Sequence, residues 1–147
     1  MSTIMRKANI LSRCESIYRT DRLKEANLCG FHHSYILAIC HSPGLSQEQL
    51  ARRVCFSKSN VTRHLAHLEN QGYVERRPSD SDKRVVLVFP TEKMLAILPQ
   101  VRHIVEEWNA YLVEDLSPEE VEQFQSTLLK ITLRAKEYVN SKDELEP

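Results

Sequence analysis

The spacing of apolar residues changes at Gly72, and this change constrains the fold more than any other feature of the sequence. Residues 57–71, which precede it, repeat apolar side chains at intervals of four and three, as is typical of a helix with one buried face. Two β-favouring runs follow, "YVERR" and "RVVLVFP", and the turn formers of residues 78–82 separate them. The sequence therefore predicts a helix that leads directly into a β-hairpin.

A shorter helix is predicted immediately before this one. Ser46 and Gln49 form a capping-box pattern at the start of residues 46–54, and Ser57 is a favourable N-cap for the next helix. Two short helices joined by about three residues, with a hairpin directly after the second, are the arrangement of a winged helix-turn-helix. We expect the inward-facing apolar residues to form its core: Leu50, Ala51, Val54, Val61, Leu65 and Leu68.

Longer helices are predicted on both sides of this motif. Residues 4–26 and 31–41 precede it, and another helix starts at Thr91. A kink is expected in that helix at Pro99, because proline removes a backbone donor. Only three glycines occur in 147 residues, which also favours a helical chain. The predicted fold class is mainly α with a small β-hairpin wing.

The sequence "SPEE" at residues 117–120 predicts the start of a last helix, with Ser117 as N-cap and Glu120 at the capping-box position. This helix carries an apolar seam suited to a partner helix. Spacing alone leaves open whether the seam packs within the chain or against a second chain. The seam consists of Val121, Phe124, Leu128, Ile131, Ala135 and Tyr138.

The chain has 20 basic and 20 acidic side chains, so its formal net charge is zero. The charges are unevenly distributed, because residues 103–122 contain seven acidic side chains and no Lys or Arg, whereas residues 76–84 contain four bases. Local charge is more informative than the total about a nucleic-acid partner. The sequence lacks a run of about 18 apolar residues and a signal-peptide pattern. We therefore expect a cytoplasmic protein whose four cysteines are thiols.

The outward faces of the second short helix and of the hairpin carry side chains suited to DNA. Lys and Arg bind phosphates or guanine edges, and small polar side chains donate to and accept from bases. The predicted recognition-helix contacts are Lys58, Ser59, Asn60, Thr62, Arg63 and, at the edge, His67. The predicted wing contacts are Arg76, Arg77, Asp82, Lys83 and Arg84. Asp82 is expected to hold the turn and orient Arg84, whose guanidinium suits a narrow minor groove.

The segment "SQEQLARRVCFSKSNVTRHLAHLENQGYVERRPSDSDKRVVLVFPTEK" resembles the winged-helix segment of the MarR family of bacterial transcription regulators. The resemblance includes the wing pattern Asp82-Lys83-Arg84 and the order and length of the flanking helices. It implies a triangular homodimer that binds a palindromic operator, with Arg84 as the minor-groove arginine. Met94 departs from the family pattern, in which many relatives have glycine, and we expect it to alter the entry into the long helix.

The expected organisation is one structural domain with three parts. Residues 1–41 and 92–147 are dimerisation helices, and residues 42–91 are the DNA-binding winged helix. The expected function is a homodimeric repressor that a small-molecule effector releases from DNA, with no cofactor. No nucleophile, base and orienting group that would indicate an enzyme can be recognised. The alternative is a winged helix used only for protein contacts. A lack of basic side chains on the helix and the wing would favour it.

Two sensing functions on the same scaffold remain open. Cys14, in the first helix, is a candidate sensor thiol, whereas the alternative is that the free cysteines are small buried hydrophobic residues. A metal site is the second option, although the spacing matches no strong zinc pattern. Its candidate ligands are Cys29, His32, His33, His41, His103 and Glu107. The sequence does not identify the operator, the regulated genes or the effector.

Overall fold

Helices dominate the computed structural model, which describes the backbone of residues 3–143 and the side chains through residue 140. The chain divides into two compact units, one ending at Trp108 and the other beginning at Asn109. The α-helices are α1 (Ile4–Leu23), α2 (His32–His41), α3 (Gln47–Val54), α4 (Lys58–Asn70), α5 (Glu92–Leu112) and α6 (Pro118–Asp143), with a short 3-10 helix at Lys24–Ala26. The strands are β1 (Leu45–Ser46), β2 (Val74–Pro78) and β3 (Val86–Pro90).

Side chains cap the helices at the positions that the sequence predicts. Ser46 accepts from the backbone N–H of Gln49 at 3.1 Å, and the Gln49 side chain accepts from the Ser46 N–H at 2.9 Å. Ser57 caps α4 by accepting from the Asn60 N–H at 3.3 Å. The same reciprocal capping box joins Ser117 and Glu120 at the start of α6. These contacts satisfy N–H groups that have no partner within their own helix.

Two glycines fix the ends of helices through specific local geometry. Gly72 has φ 78°, in the left-handed region, and it follows the C-cap of α4 as predicted. Gly30 lies where α1 and the start of α2 approach each other, and a Cβ there would be 2.6 Å from the Ser16 carbonyl oxygen. Substitution of Gly30 would therefore push these helices apart.

The three strands form an antiparallel sheet in the order β1-β3-β2. The β2–β3 pairing is the predicted hairpin, in which Val74 is opposite Pro90 and Pro78 is opposite Val86. Strand β1 was not predicted from the sequence, because its two residues follow the turn signal Pro43-Gly44 and are too few to show a periodicity. Its pairing with β3 connects the hairpin to the start of α3.

The core of the first unit contains most of the predicted motif residues. Leu50, Ala51, Val61, Leu65 and Leu68 are buried, whereas Val54 is half-buried and packs against the edge of the core. Residues beyond the predicted set complete this core: Leu23, Leu28, Tyr35, Ile36, Ala38, Ile39, Tyr73, Val74, Val88, Met94, Val101 and Ile104. The core therefore holds α4 by one face and leaves its opposite face in solvent.

Helix α6 forms most of the second unit, and its residues 122–140 are all exposed in the single chain. The predicted seam belongs to this exposed surface, with Phe124 at 52% and Tyr138 at 64% of full exposure. None of the helices in the described part of the chain has the length and hydropathy that a membrane span requires. Helix α5 continues through Pro99, and the kink expected there stays a prediction.

Candidate nucleic-acid interface

The outer face of α4 presents polar and basic side chains to solvent. Val61, Leu65 and Leu68 are buried, and their helical spacing directs the residues between them outward. The Lys58 side chain is 81% exposed, and its ion pair with Glu48 is a long contact of 3.7 Å. Ser59, Thr62 and Arg63 are exposed as well, and Asn60 is half-buried.

Hydrogen bonds along α4 position two of these groups. Asn60 Oδ1 accepts from the Arg63 guanidinium at 3.0 Å, and the Thr62 hydroxyl donates to the Lys58 carbonyl at 3.0 Å. The Asn60 amide is neutral, so it orients Arg63 without neutralising it. Within the described residues no ion pair involves Arg63, which leaves its charge available to an anion such as a phosphate.

His67, predicted at the edge of the DNA-binding face, forms a hydrogen bond with another part of the chain. Its Nε2 lies 2.7 Å from the Asn27 carbonyl oxygen, which can only accept, so the ring donates this hydrogen bond. The His67 ring also stacks on His32 with centroids 5.0 Å apart. The end of α4 is thereby connected to the segment between α1 and α2.

His32 lies beneath α4 and is 4% exposed. The Cys29 backbone N–H donates to its Nδ1 at 3.0 Å, so the ring proton is on Nε2, which lies 3.2 Å from His64 Nδ1. Burial, together with smaller contributions from His64 and His67, lowers the pKa of His32 to about 4. A second ring proton would also meet the Cys29 N–H directly. His32 is therefore neutral at physiological pH.

The base of the wing is attached to α4 through Arg76. The Arg76 guanidinium donates to both carboxylate oxygens of Glu69, at 2.9 and 3.2 Å, and to Gln47 Oε1 at 3.4 Å. The hydrogen bonds that Glu69 accepts from the Arg76 guanidinium hold the pKa of this carboxyl below its usual range. The Arg76 side chain is only 25% exposed. Of the predicted wing contacts, this one is already occupied by protein partners.

Arg77, the next residue, has a looser environment. Its guanidinium donates to Glu75 at 2.7 Å and lies over the Phe89 ring at 4.4 Å from the centroid. The side chain nevertheless remains 58% exposed. Surface pairs of this kind exchange readily with water, so Arg77 is available to a competing phosphate.

The tip of the wing has the arrangement that the sequence predicts for Asp82. Its carboxylate accepts from the Arg84 backbone N–H at 3.0 Å and from the Arg84 guanidinium at 3.1 and 3.3 Å. These hydrogen bonds hold the pKa of Asp82 below its usual range. The Arg84 side chain is nevertheless 92% exposed, and Lys83, at 72%, lies 3.6 Å from Asp80. Asp82 thus fixes the turn while Arg84 projects into solvent.

The candidate sensing residues do not form a single site. Cys14 is exposed on α1, and its role as a sensor thiol stays a prediction. Cys29 Sγ is 3.8 Å from His32 Nε2, whereas Glu107 accepts from the Tyr18 hydroxyl at 2.6 Å. The others are dispersed, with His33 Nδ1 at 2.7 Å from the Gly30 carbonyl and His41 and His103 exposed. Among the described residues no group of three or more such side chains has a geometry that holds a metal ion.

Sequence reasoning missed the residues that support the interface from behind. Glu69 and Gln47 hold Arg76, and Thr91 donates its hydroxyl to the Gly72 carbonyl at 2.6 Å. The Tyr73 hydroxyl donates to the Ala26 carbonyl at 2.9 Å. One signal was available, because Glu69 and Arg76 have opposite charges on the two sides of a predicted Gly turn.

Comparison with known proteins connects this geometry to a family. The model described as "MarR family" matches residues 30–85. The HTH-type transcriptional regulator YybA of Bacillus subtilis (strain 168) is 25% identical over 131 residues, which cover 89% of this chain and 87% of the relative. These matches include the helix-turn-helix and most of the wing.

Solved structures share the fold over nearly the whole chain. A MarR protein from Peptoclostridium difficile superposes with a TM-score of 0.91 at 22% identity, covering 99% of this chain and 93% of that one. A MarR-family regulator from Listeria monocytogenes, complexed with 26mer DNA, gives 0.87 at 24% identity, with 96% of both chains covered. Over its winged-helix segment the chain is similar to the MarR family, the curated relative is a transcriptional regulator, and the solved structures share the winged-helix fold.

Proposed function

We propose that the chain acts as a cytoplasmic homodimeric repressor that binds a palindromic operator through α4 and the wing. The observation that carries the proposal is the Arg84 side chain, which is 92% exposed and oriented by Asp82 on a hairpin that directly follows α4. A protein that needed only a solvated turn would not require an ordered guanidinium there. An arginine presented in this way suits the negative potential of a narrow minor groove.

Helix α4 is assigned to the major groove. Lys58 and Arg63 provide exposed positive charge, and Ser59, Asn60 and Thr62 provide donors and acceptors for base edges or phosphates. Lys83 and Arg77, both more than half exposed, are assigned to phosphates beside the minor groove. The structural relative crystallised with 26mer DNA supports DNA binding as the function.

The homodimer is supported by exposed apolar surface on the helices outside the winged helix. Residues 1–41 and 92–147 are assigned to dimerisation, and residues 42–91 to DNA. A single chain that leaves this much apolar side chain in water is expected to bury it against a partner. The exposed residues are Ile4, Met5, Ile10, Leu11 and Ile17 on α1, and Phe124, Leu128, Leu129, Ile131, Leu133, Tyr138 and Val139 on α6. Two-fold symmetry would separate the half-sites by about 10 base pairs.

The DNA-binding part is tested by fluorescence anisotropy on duplex from the region flanking the protein's own gene, with scrambled duplex as competitor. Wild type is expected to prefer the flanking duplex, and Arg84→Ala to bind it about 10-fold more weakly or worse. The slope of log K against log salt should fall by about one unit if Arg84 neutralises a phosphate. Arg13→Ala, which removes the same charge from α1, is the matched control and should bind as wild type does. Equal binding by Arg84→Ala and wild type would contradict the assignment.

The dimer is tested by light scattering, which should give twice the 17.1 kDa of the chain. Leu128→Asp places a charge within the seam of α6 and is expected to shift the mass toward the monomer. Ser126→Asp is the control. Ser126 lies two residues before Leu128 and so on the opposite face of the helix, where the same charge is outside the seam. A monomeric wild type, or equal masses for the two variants, would contradict dimerisation through this seam.

Release by a small-molecule effector is part of the same proposal. A cavity of 510 Å3 beside α4 supports it, because Arg63, His64 and His67 line it together with Cys29. A bulky maleimide on Cys29 should mimic an occupant and lower DNA affinity, in a protein whose other three cysteines are replaced by serine. The same protein with Cys29→Ser is the control. Unchanged DNA affinity after complete modification would argue against control through this cavity.

A further inference from the structure

The wing and the recognition helix share one polar junction, which involves three separate elements. Arg76 belongs to β2, Glu69 to the last turn of α4 and Gln47 to the first turn of α3. Besides the three guanidinium hydrogen bonds, the Arg76 backbone N–H donates to Glu69 Oε2 at 3.3 Å. Both oxygens of Glu69 are therefore committed to one arginine, and the same arginine extends to α3.

This junction leaves Arg76 little freedom to bind DNA. A bidentate guanidinium–carboxylate pair is among the stronger and more directional hydrogen-bonded contacts in proteins. Arg76 is 25% exposed, whereas Arg84 is 92% exposed and Arg77 is 58% exposed. A phosphate that bound Arg76 would have to displace Glu69 and leave its carboxylate unpaired. Arg77 and Arg84 also pair with carboxylates, but their side chains are more than half exposed, so a phosphate can reach them from solvent without opening a junction between elements.

We propose that Arg76 is a positioning residue that contacts no DNA and that, through Glu69 and Gln47, fixes the angle of the wing relative to the recognition helix. The inference rests on the proposed DNA-binding function. It assigns Glu69, an acidic residue beside a DNA-binding surface, the specific role of holding the wing.

The geometry of the hairpin explains why this angle needs to be fixed. The chain between Glu69 and Arg76 passes through Gly72 at φ 78°, a residue with unusual backbone freedom. Thr91 and Tyr73 hold the start of β2, and pairing with β1 holds β3 at Leu87 and Val88, whereas the Arg76 junction attaches β2 to the end of α4. The wing extends about five residues beyond its base, or ~17 Å at strand spacing, so a tilt of ~10° would move its tip by ~3 Å. That displacement is about half the width of a minor groove.

Glu69→Gln is the decisive variant, because the two roles of Arg76 predict opposite effects for it. If Arg76 positions the wing, loss of the carboxylate weakens operator binding about 3- to 10-fold while the salt slope remains that of wild type. If Arg76 binds phosphate, loss of the carboxylate frees it, and affinity stays equal or rises. Glu75→Gln is the matched control, since it removes the same charge from the partner of Arg77 within the same strand. It should not weaken binding.

Arg76→Gln and the reversed pair Glu69→Arg/Arg76→Glu complete the test. Arg76→Gln should weaken binding with an unchanged salt slope, and the reversed pair should recover at least part of the loss. A slope reduced by about 0.9 in Arg76→Gln would indicate a lost phosphate contact and would overturn the proposal. Affinity that is unchanged or higher in Glu69→Gln would overturn it as well, whatever the reversed pair does.

Hydrogen exchange in the absence of DNA separates this proposal from the proposed function. Amide protons of β2 and β3 should exchange faster in Glu69→Gln than in Glu75→Gln, because the hairpin has lost its attachment to α4. If wild type binds no duplex selectively, the proposed function fails while faster exchange still supports the junction. Equal exchange in the two variants would contradict the positioning role even if wild type binds its operator.

Discussion

The candidate interface has an anchored half and a free half, and they differ in what surrounds their polar groups. The anchored half is Tyr73, Arg76 and His67, each of which hydrogen-bonds to another element of the protein. The free half is Lys58, Arg63, Lys83 and Arg84, which pair only with exposed or neighbouring groups. The side chains of Lys58, Lys83 and Arg84 are 81%, 72% and 92% exposed. A count of bases along the sequence therefore overstates the charge available to DNA.

The difference indicates a division of tasks. Rigid supporting contacts reduce the entropy that a DNA-binding surface loses on complex formation, whereas exposed bases retain their ability to exchange water for phosphate. Substitutions in the anchored half should consequently alter folding or geometry. Substitutions in the free half should alter DNA affinity and its salt dependence while leaving stability nearly unchanged.

The largest effect is expected from Tyr73→Ala in the anchored half. Tyr73 is 2% exposed, donates its hydroxyl to Ala26 and lies under the Lys93 ammonium, 4.5 Å from the ring centroid. Removal of a buried aromatic side chain should lower the free energy of unfolding by about 3–5 kcal/mol. Urea unfolding at a fixed protein concentration measures this change, because dimerisation would make the midpoint depend on concentration.

Lys83→Ala is the matched test in the free half and should change the free energy of unfolding by less than about 0.5 kcal/mol. Tyr73→Phe should cost about 1 kcal/mol, since it removes only the hydrogen bond. The distinction between the two halves would be lost if Tyr73→Ala changed the free energy of unfolding as little as Lys83→Ala does.

A second prediction concerns acid and the histidines that support α4. The pKa of His32 is about 4 in the folded chain and about 6.5 in an unfolded one, so unfolding takes up a proton between these values. The free energy of unfolding should therefore fall as pH decreases through this window, by at most about 1.4 kcal/mol per pH unit for this residue. His33, whose pKa burial also lowers to about 4, contributes in the same direction.

Urea unfolding between pH 6.5 and 5 tests this effect above the range in which most carboxylates titrate. His32→Gln should reduce the pH slope by close to one proton, because glutamine does not titrate. His41→Gln is the control, as His41 is exposed at the end of α2. Identical slopes for wild type and His32→Gln would show that His32 is not held neutral by its surroundings.

The sequence was most informative about features that depend on neighbouring residues. The capping boxes at Ser46 and Ser117, the left-handed Gly72 and the β2–β3 hairpin are confirmed, because each is encoded within a few positions. The Asp82–Arg84 hydrogen bond was predicted for the same reason. The free half of the interface consists mainly of residues that such local patterns identify.

The anchored half was largely hidden because it depends on which elements approach in space. In the sequence, Arg76 resembles the other basic residues of the wing. The structure shows that the end of α4 places Glu69 against it. His64 and His67 are visibly one turn apart, but nothing in the spacing brings His32 to them. The DNA contacts, the dimer and the three-part division of the chain remain predictions, since each concerns a partner.

A third, smaller effect is expected from Asp82→Asn at the tip of the wing. The substitution keeps one acceptor for the Arg84 backbone but removes the charge that holds the guanidinium. Operator affinity should fall by about 3- to 5-fold, less than in Arg84→Ala, and the free energy of unfolding should change far less than in Tyr73→Ala. Asp80→Asn, which removes an equal charge from the fully exposed partner of Lys83, is the control and should bind at least as tightly as wild type. Tighter binding by both variants would mean that Asp82 only repels phosphate.

The smallest effect, and the most direct comparison of the two halves, is the titration of Glu69 and Asp82. The pKa of each carboxyl lies below its usual range, through hydrogen bonds to Arg76 and Arg84 respectively. Each pair therefore stabilises the fold above the ordinary carboxyl pKa, and this contribution is lost as pH falls through the depressed value. Side-chain carboxyl NMR shifts followed from pH 6 to 2 would measure both groups in one experiment.

Arg76→Gln should raise the pKa of Glu69 toward its ordinary value and leave Asp82 unaffected, while Arg84→Ala should do the converse. Addition of operator DNA distinguishes the pairs further. Phosphates that approach Arg84 also repel the Asp82 carboxylate, so the pKa of Asp82 should rise in the complex, whereas Glu69 lies behind the interface and its pKa should stay low. A rise at Glu69 on DNA binding would place Arg76 in the free half and reverse the comparison.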